Sequence, residues 1–163
     1  MNTLKKIYCR TFQTGLKIAL PFLPYQTPKV VGSVTVLPEV IRRKNCSKVL
    51  IITDAGIRKL GLTVRLEKAL DRDGIPYCIY DKTVANPTTV NVSEAIDLYK
   101  TEGCDCIIGF GGGSSMDCAK AVGACIAKPK QTLAKMKGIL KVHKKLPLLM
   151  AVPTTAGTGS ETT

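Results

Sequence analysis

The sequence predicts an α/β fold, a mainly parallel sheet flanked by helices, and three observations carry that expectation. Continuous apolar runs recur as KVLIIT (48–53), CDCIIGF (104–110) and LPLLMAV (146–152). Segments with apolar residues at helical spacing separate them. Glycine-rich or small polar stretches, not two-residue hairpin turns, follow the runs, so successive strands are joined by crossovers and lie parallel.

Element by element, residues 1–28 read as an amphipathic segment. Arg10, Gln13 and Lys17 interrupt its apolar residues, so it suits neither a signal peptide nor a membrane span. Val30 to Val36 alternates β-branched residues and predicts a strand. Pro38 to Asn45 predicts a short helix with proline near its start. KVLIIT predicts a strand buried on both faces, ended by Asp54 and Gly56. Leu62, Leu66, Ala69 and Leu70 place a helix over Leu60 to Asp73, stopped by Gly74. Ile75 to Tyr80 predicts a third strand, and Asn86-Pro87-Thr88 a turn. Ser93 to Thr101 predicts a helix, Asp105 to Phe110 a buried strand, Ser114 to Ala127 a helix, Leu133 to Leu140 a further helix, and Leu146 to Val152 the last strand.

Composition narrows the function classes. The 163 residues, 45% hydrophobic and 22% charged, suit one globular domain with a real core. Lys and Arg number 24 against 12 Asp and Glu, a net charge of +12. Such a surplus suits a nucleic-acid or anionic-membrane surface, a missing acidic partner domain, or simply basic residues decorating helices. Aromatic residues are 5% of the chain and do not interleave with the basic runs, which argues against base stacking. The expectation is therefore no nucleic acid and no membrane. The 7 cysteines sit mostly among apolar neighbours and read as small buried hydrophobes in a reducing, cytoplasmic compartment. The C-x-C of Cys104 and Cys106 matches no common zinc spacing, and His143 is the single histidine. No metal site and no catalytic set is expected from these residues.

In a parallel sheet, ligands bind beyond the carboxyl ends of the strands. Three loops there are informative. Gly111, Gly112, Gly113 and Ser114 lie between a strand and a helix, where a phosphate can approach a backbone without Cβ atoms and meet the helix's unpaired N–H groups. The alternative is a tight turn with no ligand, with Ser114 and Asp117 as an S-x-x-D cap. Asp54 follows a buried strand and could accept hydrogen bonds from ribose hydroxyls while repelling a 2′-phosphate; equally it could cap a short helix. In PTTAGTGSETT, the hydroxyls of Thr154, Thr155, Thr158 and Ser160 suit close contact with a phosphorylated or planar ligand; a polar loop with no partner is the alternative.

GGGSSMDCAK resembles the GGGS-x-x-D-x-x-K signature of the iron-containing (group III) alcohol dehydrogenase family, and PTTAGTGSE is similar to that family's second signature. ITDAG and the NPT of residues 86–88 fall in the same order. The resemblance covers the family's N-terminal, cofactor-binding half and implies a Rossmann-like domain over residues 1–163, followed in the family by a helical metal domain. It implies NAD(H) as cofactor and a small alcohol or aldehyde as substrate. Gly112, Gly113 and Ser114 would hold the pyrophosphate, and Asp54 the adenosine ribose. Asn86 would line the cleft, and Asp117 would sit near the nicotinamide. Thr154, Thr155 and Thr158 would form the far wall, with Lys120 supporting the glycine loop.

The family's divalent metal, iron or zinc, is held by an aspartate and three histidines beyond the second signature. This sequence reaches Thr163 before any of them. The resemblance therefore implies a catalytically incomplete, truncated cofactor-binding fragment. Two relatives on the same scaffold, glycerol dehydrogenase and dehydroquinate synthase, fit less well, because a lysine is expected there in place of Ser114. A non-catalytic nucleotide-binding module is the other reading. A homodimer could form through a strand at Val30 to Val36.

Overall fold

In the computed structural model the chain divides into two compact units, residues 1–30 and 31–163. The structure describes residues 28–136 and 144–161, together with 10, 11, 14, 15 and 142. In the first unit, Thr14 donates its hydroxyl to the Arg10 carbonyl at 2.9 Å. The amphipathic reading of residues 1–28 otherwise lies outside the described residues, as does the helix expected beyond Met136. None of the described helices is long and apolar enough to cross a membrane.

The second unit opens with a 3-10 turn, Val34–Val36, and runs on as α1 (Leu37–Arg43), β1 (Val49–Ile52), α2 (Ala55–Lys59), α3 (Val64–Arg72) and β2 (Tyr77–Tyr80). There follow α4 (Thr89–Thr101), β3 (Cys106–Gly111), α5 (Gly113–Ala127), α6 (Leu133–Met136) and β4 (Leu148–Pro153). The sheet order is β2-β1-β3-β4, with every pairing parallel. The α/β class predicted from the sequence is the class observed.

Alternation along the strands splits the core in two, because successive side chains face opposite sides of a sheet. Val49 and Ile51 of β1 face a cluster with Leu37 and Ile41 of α1 and Leu66 and Leu70 of α3. Leu50 and Ile52 face the other cluster, with Val92, Ala95 and Tyr99 of α4 and Cys118, Ala119 and Val122 of α5. All four residues of β1 and all six of β3 are buried, as the continuous apolar runs required.

Three expectations are corrected. Residues 30–36 form no strand. Val30 is 94% exposed, and the Ser33 hydroxyl accepts from the Thr35 amide to start the 3-10 turn. The predicted route to a homodimer goes with it. The helix expected from Leu60 begins only at Val64, because Gly61 adopts a φ of 66° and turns the chain, leaving Leu60 exposed. The helix expected from Ser93 starts earlier, at Thr89. There the Thr88 side chain accepts from the Asn91 amide and the Asn91 side chain accepts from the Thr88 amide, a reciprocal cap.

Candidate functional site

β3 ends in Gly111, whose φ of 141° lies where side chains rarely go. A Cβ there would also stand 2.7 Å from Ser115 Oγ, so the turn from strand to helix demands glycine. The chain then enters α5 through Gly112, its N-cap, which makes no side-chain capping bond. No acidic residue occupies the first turn of this 15-residue helix. Its amino end therefore keeps its partial positive charge and unfilled N–H groups.

The S-x-x-D cap does not form. The helix begins one residue before Ser114, so that hydroxyl lies inside the first turn and accepts instead from the Asn86 amide at 3.3 Å. Asp117 points away to Lys120 Nζ at 3.7 Å, with its side chain 55% exposed.

A cleft of about 580 Å³ opens at the carboxyl ends of the strands. Asp54, Ala55 and Gly56 line it after β1, Thr83, Val84 and Ala85 after β2, residues 112–115 after β3, and Thr155 and Thr158 after β4. Asp54 caps α2, its Oδ1 accepting from the Ile57 amide at 3.0 Å. Its Oδ2 faces the glycine loop and accepts from the Ser115 hydroxyl at 3.4 Å. The segment after β4 closes on the same loop. The Thr154 amide donates to the Gly111 carbonyl at 2.9 Å, and a Cβ on Gly113 would meet Ser160 Oγ at 3.1 Å.

Of the residues singled out by sequence, Asp54, Gly112, Gly113, Ser114, Thr155 and Thr158 thus share one cleft. Asn86, Gly111, Asp117 and Thr154 do not line it. Gly111 and Thr154 are joined by a backbone hydrogen bond beside it, and the Asn86 amide donates to the Ser114 hydroxyl. Sequence reasoning missed Ser115, which is 1% exposed and ties α5 to Asp54. It also missed the wall of Thr83 to Ala85. That wall follows a parallel strand like the others, so the carboxyl-end rule applied to Ile75 to Tyr80 would have found it.

A model of the family described as "Iron-containing alcohol dehydrogenase" matches residues 29–163. The chain belongs to the iron-containing alcohol dehydrogenase family. It is 33% identical over 133 residues to lactaldehyde reductase of Escherichia coli (strain K12), covering 81% of this chain and 35% of that protein. It is 34% identical over 142 residues to the NAD-dependent methanol dehydrogenase of Bacillus methanolicus, covering 87% of this chain and 37% of that protein. Among solved structures, a 1,3-propanediol oxidoreductase superposes with a TM-score of 0.79 at 34% identity, over 85% of this chain and 37% of that one. The chain therefore spans little more than a third of the length of these relatives.

The described residues fit a dinucleotide of the kind the NAD-dependent relative is named for. An uncapped helix end, two glycines open to the cleft and a carboxylate across from them are the groups that a pyrophosphate and a ribose would require. They do not fit the iron of the family name. Among the described residues, one group brings three metal-ligating atoms together: Cys46, Asp105 and Cys106, within 4.8 Å of one another. It lies at the amino end of β3, about 20 Å of strand from the cleft. The Asp105 carboxylate is already taken there by the Ser47 amide and hydroxyl, both at 2.7 Å, and by the Lys48 amide at 3.1 Å. Burial, reinforced by Asp105, pushes the Cys46 thiol up, and burial likewise pushes Cys106 up, which works against the thiolate form a metal needs.

Proposed function

We propose that this chain is the NAD(H)-binding part of an alcohol or aldehyde oxidoreductase. The observation that carries this reading is the uncapped amino end of α5 opening into a cleft faced by Asp54. In this reading Gly112 and Gly113 admit the pyrophosphate to the first-turn N–H groups, and Ser114 stays within hydrogen-bond reach of it. Asp54 takes the adenosine ribose hydroxyls with lone pairs left over from its Ile57 and Ser115 bonds, and its charge disfavours a 2′-phosphate. Thr155 and Thr158 press on the nucleotide from the loop after β4. Thr154 and Gly111 fix that loop to the sheet, and Asn86 keeps Ser114 oriented. The bound nicotinamide supplies the hydride acceptor and donor chemistry.

The metal, iron or zinc, has no ligand set among the described residues, so no step is assigned to it here. The substrate-binding and metal-binding groups of the whole enzyme belong to the remaining two thirds of the relatives' length. On this reading the 163-residue chain alone binds NADH and does not turn over. A fluorescence titration of the purified chain with NADH beside NADPH, at moderate salt, tests it. Saturable binding that prefers NADH is expected. Failure to saturate overturns the cofactor assignment, and turnover of NAD with an alcohol at a rate near that of full-length relatives overturns the incompleteness.

A further inference from the structure

Cys78, the second residue of β2, and Cys104, in the turn leading into β3, meet with their Sγ atoms 3.3 Å apart. Both belong to the apolar layer beneath α4 and α5, where Cys104 is buried and Cys78 is half-buried. Neither sulfur belongs to the group of three metal-ligating atoms found among the described residues. The chemistry open to two thiols in contact is therefore sulfur–sulfur bond formation.

A disulfide requires the sulfurs to close by only about 1.3 Å. β2 is an edge strand paired to β1 alone within the described sheet, so its far side is free to yield. Cys104 follows Gly103, whose φ of 65° marks a turn rather than a ladder residue.

We propose that Cys78 and Cys104 form an oxidation site that takes an intramolecular disulfide when the protein meets a peroxide. The half-buried Cys78 sulfur is the one the oxidant reaches. As its thiolate it attacks a peroxide oxygen and the O–O bond breaks. Cys78 becomes a sulfenic acid and, with hydrogen peroxide, one water leaves. The Cys104 sulfur then attacks the Cys78 sulfur, the S–S bond forms, the S–O bond breaks and a second water leaves. Two thiols lose two electrons and two protons, and one peroxide gains them.

Burial raises both thiols, Cys104 to about 12, with the Lys48 ammonium opposing and the Glu102 carboxylate adding to the rise. The pair therefore reacts more slowly than an exposed cysteine and resists chance oxidation. Once formed, the bond closes a covalent loop that contains α4 and the cleft wall of Thr83 to Ala85.

The test treats the purified 163-residue chain with hydrogen peroxide at neutral pH, alkylates the remaining thiols, digests with trypsin without reduction and reads the peptides by mass spectrometry. The expected product joins peptide 73–82 to peptide 101–120, two hydrogens lighter than their sum, and dithiothreitol separates them. The second peptide also carries Cys106 and Cys118, so the link must persist in Cys106→Ala and in Cys118→Ala and vanish in Cys104→Ala. A dominant link between other cysteines overturns the proposal. So does sulfinic or sulfonic acid on Cys78 without a cross-link, or the recovery of both Cys78 and Cys104 as free thiols after prolonged exposure to excess peroxide.

Discussion

At Asp54 one carboxylate oxygen caps α2 and the other receives Ser115, so helix cap and ribose partner, read from sequence as alternatives, are compatible in one side chain. Substitution separates them. Asp54→Gly costs only a few tenths of a kcal/mol as a cap but removes the charge that disfavours a 2′-phosphate. The expected outcome is about a tenfold loss in the preference for NADH over NADPH, roughly 1.4 kcal/mol, read from paired titrations. An unchanged preference would leave Asp54 as a cap and nothing more. Two glycines make a second, opposed pair. A methyl on Gly109 would lie 2.9 Å from Ala119 Cβ and 3.2 Å from Met116 Cα, so α5 would have to lift from β3. Gly109→Ala should destabilise by about 1–3 kcal/mol in urea unfolding. Gly123, inside α5, would meet Leu149 Cδ1 at an ordinary 3.6 Å. Gly123→Ala should therefore leave stability unchanged or raise it by about 0.5–1 kcal/mol.

Among the elements, those whose side chains are buried on both faces were legible. VLII and CIIGFG are strands whose every residue is buried, and their carboxyl-end loops carry the glycines and the aspartate that the sequence singled out. What misled was local pattern without a place to pack. The alternation over Val30 to Val36 looks like a strand, but β1 and β3 are each already paired on both sides, and Ser33 offers the backbone a local bond instead. Ser115 escaped notice for a different reason. Its role depends on a partner 61 positions away, which no local pattern encodes. At the opposite end of the strands, Asp105 ties the start of β3 to the start of β1. Burial works against its charge, yet the Ser47 hydroxyl and the Ser47 and Lys48 amides outweigh it and hold the carboxyl below its usual range. The folded state thus binds this proton less readily than the unfolded chain. The contribution is full above about pH 4 and is lost as pH falls from there through the lower folded value. Asp105→Asn should flatten the acid limb of a stability-versus-pH curve while also lowering stability at neutral pH. An acid limb identical to that of the parent chain would remove Asp105 from the account.

For the whole molecule, the charge of +12 leaves nucleic acid as the rival to a dinucleotide, and mass action distinguishes them. A ligand that binds only the folded state at 100 times its Kd stabilises by about 2.7 kcal/mol. NADH should therefore slow tryptic digestion of the chain, and oligonucleotides at moderate salt should not; the reverse pattern would favour a basic nucleic-acid surface. The family match spans residues 29–163 and so includes every loop that lines the cleft, while the chain as a whole spans about a third of the relatives' length. The sheet itself has one more implication, for how the chain comes together. Every rung joins parallel strands separated by at least one helix, and the central β1 needs both β2 and β3 to complete it. Among the described residues no hairpin is available to act as a seed. As the polypeptide leaves the ribosome, β1 emerges with both edges open and must wait for Cys106 to Gly111 before its second side is covered. During that interval VLII is an exposed, uncharged, β-prone segment, the kind that sticks to its copies. Newly made chains should therefore depend on chaperones more than the finished fold suggests.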